Sequence, residues 1–414
     1  MNLREAKKLY DSSIEIIKKN QHKNGGFYAS PPGTRYPFIY ARDHSIVVLG
    51  ALEAGLVDEA RRGLEFILAA QKPTGEMPQR CDVEGTDTSY KELQIDGNGL
   101  VLYALGKYCQ KVDYEVAEEF WNNVDLVVDY ILKNKNDEIN LIHTINSIHE
   151  YPAYEHGFEI FANSACCAGL IEAVKMGNAL GKDVKRWDQE AELIRRNILT
   201  RLYSPRKRTF IKNIRIKERG SKPLGYDPYA STVGDPDAAE YAPAYFELLN
   251  DRDLRVINTV RRIDAALWDQ ELGGLNRYPE AWNRNNGGYG PWPHFTCQVA
   301  RHFVNIGDDD RAEVYLGWVV DIASDYMLPE HLSTIERFDE WIDCYSAAGI
   351  MRDDKVVMIE GIKSHPKWQE GFAYVVTPLI WPHAEYIRAY KSYEDMFLGG
   401  ESLQALKRQA LVSR

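Results

Sequence analysis

The residues of this chain that could do chemistry together are carboxylates and arginines set among aromatic rings. "YPFIYARDHS" (36–45) places Arg42 and Asp43 just after Tyr36, Phe38 and Tyr40. "YKELQIDGNG" (90–99) sets Asp96 six residues after Tyr90, and "HEYPAYEHGFEIF" (149–161) holds Glu150, Glu155, His156 and Glu159 among Tyr151, Tyr154, Phe158 and Phe161. "NRYPEAWNRNNGGYGPWPHF" (276–295) contributes Arg277, Tyr278, Glu280, Trp282, Tyr289 and Trp292. "LPEHLS" (328–333) adds Glu330 and His331, followed by Trp341, Trp368 and Trp381. Rings stack on sugar C–H faces, hydroxyls need charged partners, and two carboxyl groups can break a glycosidic bond. A protonated one donates to the leaving oxygen, and an ionised one activates water or attacks. No nucleophilic Ser or Cys motif and no glycine-rich phosphate cradle is present, so acid–base work by carboxylates is the chemistry that remains.

Each of these residues also has a plain structural role open to it. Asp43 and Asp96 both precede apolar runs and are expected to cap helices. Rings in long loops pack those loops onto whatever lies beneath. The weight lies in convergence, which depends on the elements that carry the loops.

Helical periodicity dominates, over 1–20, 43–54, 57–71, 96–110, 113–133, 159–180, 183–203, 236–249, 251–268, 293–306, 308–325 and 380–391. Five connections are very short ("GLVD", "QKVD", "GKDV", "NDRD", "GDDD"), each bringing an Asp to the next helix start. Between these pairs run the long connections 21–42, 72–95, 134–158, 204–235, 269–292 and 326–379. Short loops make consecutive helices antiparallel, so every long loop emerges at the same end. The expectation is an all-α, (α/α)6 toroid of six hairpins, its long loops forming one site. An open helical-repeat array is the rival, but no fixed-period repeat is present. "RTFIKNIRIK" (208–217) reads as a strand pair or extended loop on the fourth long connection. With no linker or composition break, residues 1–414 read as a single domain.

The net charge of −11 and pI near 5.5 exclude a nucleic-acid or anionic-membrane partner on electrostatic grounds. No run approaches a membrane span, and the amphipathic start "MNLREAKKLYDSSIEIIKK" lacks a signal-peptide core, so a cytoplasmic location is expected. The six cysteines form no CxxC pair or metal-ligand spacing. No metal and no organic cofactor is expected, and the partner is a small-molecule oligosaccharide.

Together these segments resemble the catalytic domain of the glucoamylase family, glycoside hydrolase family 15, across nearly the whole chain. "YPFIYARDHS" is similar to the segment whose Arg-Asp pair grips the terminal glucose, which implies that role for Arg42 and Asp43, beside Tyr40. "YKELQIDGNGLVLYAL" resembles the segment that places an aromatic residue near the scissile bond, here Tyr90, six before Asp96–Gly97. "GLNRYPE…GYGPWPHFT" implies Arg277, next to Tyr278, as a second hydroxyl clamp and Trp292 as a stacking platform. "LPEHLS" implies Glu330 as the catalytic base. "TPLIWPHAEYIRAY" resembles the final motif, with Trp381 entering the last inner helix. The chain departs from the pattern at the general acid, where Glu155 fits best and Glu150 and Glu159 are the alternatives, and at His331, where glutamine is commoner. No counterpart of the family's N-terminal β-sandwich or of a starch-binding module is expected within these residues. The resemblance implies an inverting, exo-acting α-glucosidase acting on soluble oligosaccharides with α-1,4 or α-1,6 linkages. A trehalase-type hydrolase and a non-catalytic sugar sensor are the alternatives.

Overall fold

The computed structural model describes residues 1–150, 156–219, 222–227, 236–279, 287–349, 351 and 353–399. Its helices are α1 (Leu3–Lys19), α2 (Ala41–Glu53), α3 (Val57–Ala69), α4 (Asp96–Lys111), α5 (Trp121–Lys133), α6 (Ile160–Ala179), α7 (Lys185–Arg201) and α8 (Ala242–Tyr245). They continue with α9 (Leu254–Leu267), α10 (Pro293–Ile306), α11 (Asp309–Ile322), α12 (Ile335–Ala347), α13 (Asp353–Ser364) and α14 (Ile380–Tyr393).

Burial separates these helices into two rings. On α6 every residue from Ile160 to Leu170 is buried, whereas α1 buries only the stripe Ala6, Leu9, Ser13 and Ile17. A helix apolar all round must be enclosed, and one with a single stripe must lie outside. Thus α2, α4, α6, α8, α10 and α14 form the inner ring, in which α14 packs on α2, α2 on α4, α4 on α6 and α6 on α8. Helices α1, α3, α5, α7, α9 and α11 form the outer ring of the (α/α)6 toroid. The tightest inner crossing uses missing side chains: a Cβ on Gly99 would stand 2.4 Å from the Ala165 carbonyl carbon, and one on Gly169 2.5 Å from the Gly99 carbonyl oxygen. Among the described residues no helix is long and apolar enough to cross a membrane.

The turns work partly as their sequences predict. Asp253 and Asp308 cap α9 and α11, accepting from the Arg255 and Arg311 amides at 2.9 and 3.1 Å. Gly307 closes α10 at φ 83°, a conformation in which a side chain would be strained. Asp43 and Asp96, however, are not caps. The α2 helix begins earlier, at Ala41, launched by a strand pair (39–40 with 80–81), and Asp96 lies inside the first turn of α4. The helix expected over 236–249 is reduced to a 3-10 turn, Ala238–Tyr241, and the single turn of α8, because Glu247 turns left-handed at φ 60°. The stretch 113–133 likewise divides at Phe120 into a short turn (Val116–Glu119) and α5.

The sixth long connection is more ordered than its sequence led us to expect. Strand His331–Thr334 pairs antiparallel with Phe372–Val375, and α12 and α13 fill the space between. Strand Gly157–Glu159 pairs with Asn213–Arg219, which pairs in turn with Lys222–Asp227, tying the third and fourth loops together.

Candidate active site

The inner helices start at the long-loop end, and their first turns carry Arg42, Asp43, Asp96 and Trp381, with Tyr40 and Trp292 immediately before two of them. Arg42, 5% exposed, donates through Nε to Oδ2 of the fully buried Asp96 at 2.6 Å and through Nη2 to the Ser147 carbonyl at 2.8 Å. Its Nη1 lies 3.7 Å from Glu150 Oε1. Asp43, one residue on, forms no ion pair among the described residues. Burial lifts its carboxyl to about 7, against the pull of Arg42 and with a push from Glu150 and Asp96. Asp96 is thus tied to Arg42, while Asp43 keeps a carboxyl without an ion-pair partner among the described residues.

Glu330 enters from the strand 331–334 side, where its amide donates to the Val375 carbonyl at 2.9 Å. One oxygen, Oε1, accepts from Tyr36 Oη at 3.4 Å. Burial raises the carboxyl to about 7, with Arg35, Arg277 and the Tyr36 hydroxyl pulling it down and Asp43 pushing it up. Its neighbour His331 is fully buried and neutral, driven by that burial down to about 3. Its Nε2 lies 3.1 Å from the Gly288 carbonyl. That contact places the proton on Nε2 and leaves Nδ1 an acceptor.

Behind Glu330 the rings interlock. His331 stacks on Trp292 at 4.7 Å and 17°, and the Arg277 guanidinium lies over Trp292 at 5.1 Å. His294 stacks on Trp381 at 4.3 Å, and Trp381 Nε1 donates to Glu385 at 3.3 Å. Trp292 and Trp381 are only 5% and 6% exposed, so Trp292 offers a ligand its Nε1–H edge and not a free face. At the rim Tyr90 is 58% exposed with Arg80 over its ring at 4.6 Å, and Tyr40 is buried, its Oη accepting from Arg80 at 3.4 Å.

Among the described residues, five buried polar atoms in this cluster meet no protein partner: Arg277 Nε, Trp292 Nε1, His294 Nδ1, His331 Nδ1 and Glu330 Oε2. Buried groups of this kind are almost always satisfied in folded proteins. A mixed set of donors and acceptors, gathered on one wall, is complementary to a ligand rich in hydroxyls.

Of the three carboxylates considered as acid, Glu155 lies outside the described residues. Glu150, at φ 57°, accepts from Gln94 and Gln79 at 2.9 and 3.3 Å. Glu159 is fully buried as the cap of α6, accepting from the Ala162 amide at 2.8 Å and from Ser147 Oγ at 2.7 Å. Both are structurally engaged. Tyr278 packs its ring 5.3 Å from His149, whose Nε2 lies 2.8 Å from Asp237. Burial opposes ionisation of Asp237, but His149 and Lys212, the latter at 3.1 Å, hold its carboxyl below the ordinary range.

Sequence reading passed over His294 and Asp237. The first stood inside a quoted segment and could have been included. Asp237, in "GDPDAAEY", precedes a segment that reads as an ordinary helix, with nothing to set its carboxylate apart.

The helical toroid is an architecture this chain shares with solved glycosidases. A glycosidase variant in complex with glucose matches with a TM-score of 0.71 at 20% identity, over 94% of this chain and 97% of that one. A bacterial glucoamylase complexed with acarbose matches at 0.69 and 18%, over 94% of this chain and 55% of that one. The glucoamylase of Hormoconis resinae matches at 0.60 and 15%, over 94% and 74%. At these identities the likeness is one of fold. No family model matches the sequence. No curated protein matches it either.

Proposed function

We propose that this protein is an inverting, exo-acting α-glucosidase that releases β-glucose from the non-reducing end of soluble α-1,4- or α-1,6-linked gluco-oligosaccharides, with residues 1–414 acting as one domain. The observation that carries this reading is the wall of unpartnered atoms around Glu330, on a toroid of the kind glycosidases use. Arg277 Nε and Trp292 Nε1 would donate to sugar oxygens, while His331 Nδ1 and Asp43 would accept from hydroxyls. Arg42, fixed by Asp96, would hold the innermost sugar.

Glu330 is the general base on this reading. Ionised, it takes a proton from a water that attacks the anomeric carbon, while Glu155 gives a proton to the departing oxygen. One water is consumed, the glycosidic C–O bond breaks, and the new C–O bond forms on the opposite face. The two carboxyls of such a pair stand about 6.5–9.5 Å apart to admit the water.

The test is glucose release from maltose, isomaltose, trehalose and maltotriose, with proton NMR following the first anomer formed. Early β-glucose supports the proposal and identifies the linkage. Early α-glucose overturns inversion, and saturable sugar binding without turnover overturns catalysis in favour of a sensor.

A further inference from the structure

The end of the toroid opposite the long loops holds an arginine that makes no hydrogen bond or ion pair among the described residues. Inner helices finish there, and their last carbonyls need donors. Lys111 reaches the Leu52 carbonyl, Arg195 donates to the Leu248 carbonyl at 3.1 Å, and Arg252 to that of Asn305 at 3.4 Å. Lys107 pairs with Glu247 at 2.6 Å and Arg388 with Glu385 at 3.1 Å. Arg301, on α10, forms no ion pair and no hydrogen bond among the described residues, and its Nε is buried.

Arg301 also stands where two cavities meet. Because α8 stops after one turn, the inner ring is short on that side, and a cavity of about 750 Å³ opens there, lined by Tyr241, Tyr245, Glu247, Arg301 and Asn305 among others. A smaller one, of about 160 Å³, shares Glu247 and Arg301 and reaches Lys107 and Arg388. The larger volume is in the range of small-molecule sites.

We propose that this cavity binds a small oxyanion, a carboxylate or a phosphate, on Arg301. A guanidinium fork matches the paired oxygens of either group. Of the carboxylates lining the two cavities, Glu247, Asp251 and Asp253 already have partners of their own, while Glu53, exposed beside the smaller one, has none among the described residues. Glu247 holds Lys107 and the Tyr103 hydroxyl, and Asp251 accepts from Tyr241, His302 and Asn305, each at 2.8 Å. The helix carbonyls that would repel an anion are covered by Lys111, Arg195 and Arg252. The site is separate from the sugar pocket, since Arg301 lies nine residues below Trp292 on one helix, about 13 Å at 1.5 Å per residue.

The test titrates the full chain with sodium phosphate and, separately, sodium citrate at ionic strength held constant with sodium chloride, following melting temperature and binding heat. A saturable response, weakened about ten-fold or more in Arg301→Gln, is expected. Response to phosphate alone marks a phosphate-bearing ligand, and to citrate alone a carboxylate. No saturable response to either, or one that Arg301→Gln retains in full, overturns the proposal. If that variant fails to fold, phenylglyoxal labelling of the unaltered protein decides the matter. Protection of Arg301 by the anion supports the site, and equal labelling with and without it overturns the site.

Discussion

Arg42 Nε and Asp96 Oδ2, 2.6 Å apart, join the first turns of two neighbouring inner helices at the long-loop end. The pair is 5% and 0% exposed, so neither charge has water to fall back on. Removing one partner of such a pair leaves the other buried and uncompensated, at a cost of about 3 kcal/mol. Asp96→Asn is therefore expected to lower the chemical denaturation midpoint by that equivalent and to raise KM, because Arg42 loses the contact that aims it. An unchanged KM in a destabilised variant would show that the pair serves the fold alone.

Glu330 makes two predictions with one substitution. As general base, its replacement by Gln should lower turnover at least ~10²-fold. Its carboxyl titrates near 7 in the folded protein against an ordinary 4.5. Between those values the folded state holds the proton more tightly than the unfolded chain does. The stability this contributes is fully present below pH 4.5 and is lost as pH rises through 7. Glu330→Gln should thus melt higher than the parent at pH 8, with the gap closing by pH 4.5. Melting curves across that range check it, and a gap independent of pH counts against the assigned environment. The acid limb of kcat/KM should fall near pH 7 as well, since the base acts ionised.

Trp292→Phe removes the Nε1–H, a buried donor with no protein partner among the described residues, and with it part of the indole that stacks on His331. The lost donor costs the fold nothing, but the smaller ring leaves a void in a buried wall, worth about 1–2 kcal/mol. The expected result is a modestly lowered melting temperature with KM up by as much as about ten-fold. A loss of stability with KM unaltered would remove Trp292 from the binding wall.

The carboxylates of the third loop should part company on substitution. Glu155→Gln is expected to lower kcat at least ~10²-fold with little effect on melting. Glu159→Ala deletes the α6 cap and the Ser147 contact, and should cost about 1–2 kcal/mol of stability. If turnover survives Glu155→Gln, the acid lies elsewhere.

The sequence by itself determined the toroid and the end on which chemistry gathers. Alternating short and long connections leave little choice but antiparallel hairpins with their long loops together, and all-round apolar segments such as 160–170 can only be inner helices. Those are local properties, legible because hydrophobic period and turn residues act over a few positions. What the tertiary structure decided is which side chain meets which. Asp43 and Asp96 look like identical helix caps in sequence, yet the first forms no ion pair among the described residues and the second is tied to Arg42. Trp292 reads as an open platform until Arg277 and His331 are seen against it. The strand pair that closes the sixth loop joins residues some forty positions apart, and Arg301 is unremarkable until its neighbours Lys107, Lys111, Arg195, Arg252 and Arg388 are found occupied. Such facts depend on contacts between distant segments, and no periodicity along the chain encodes them.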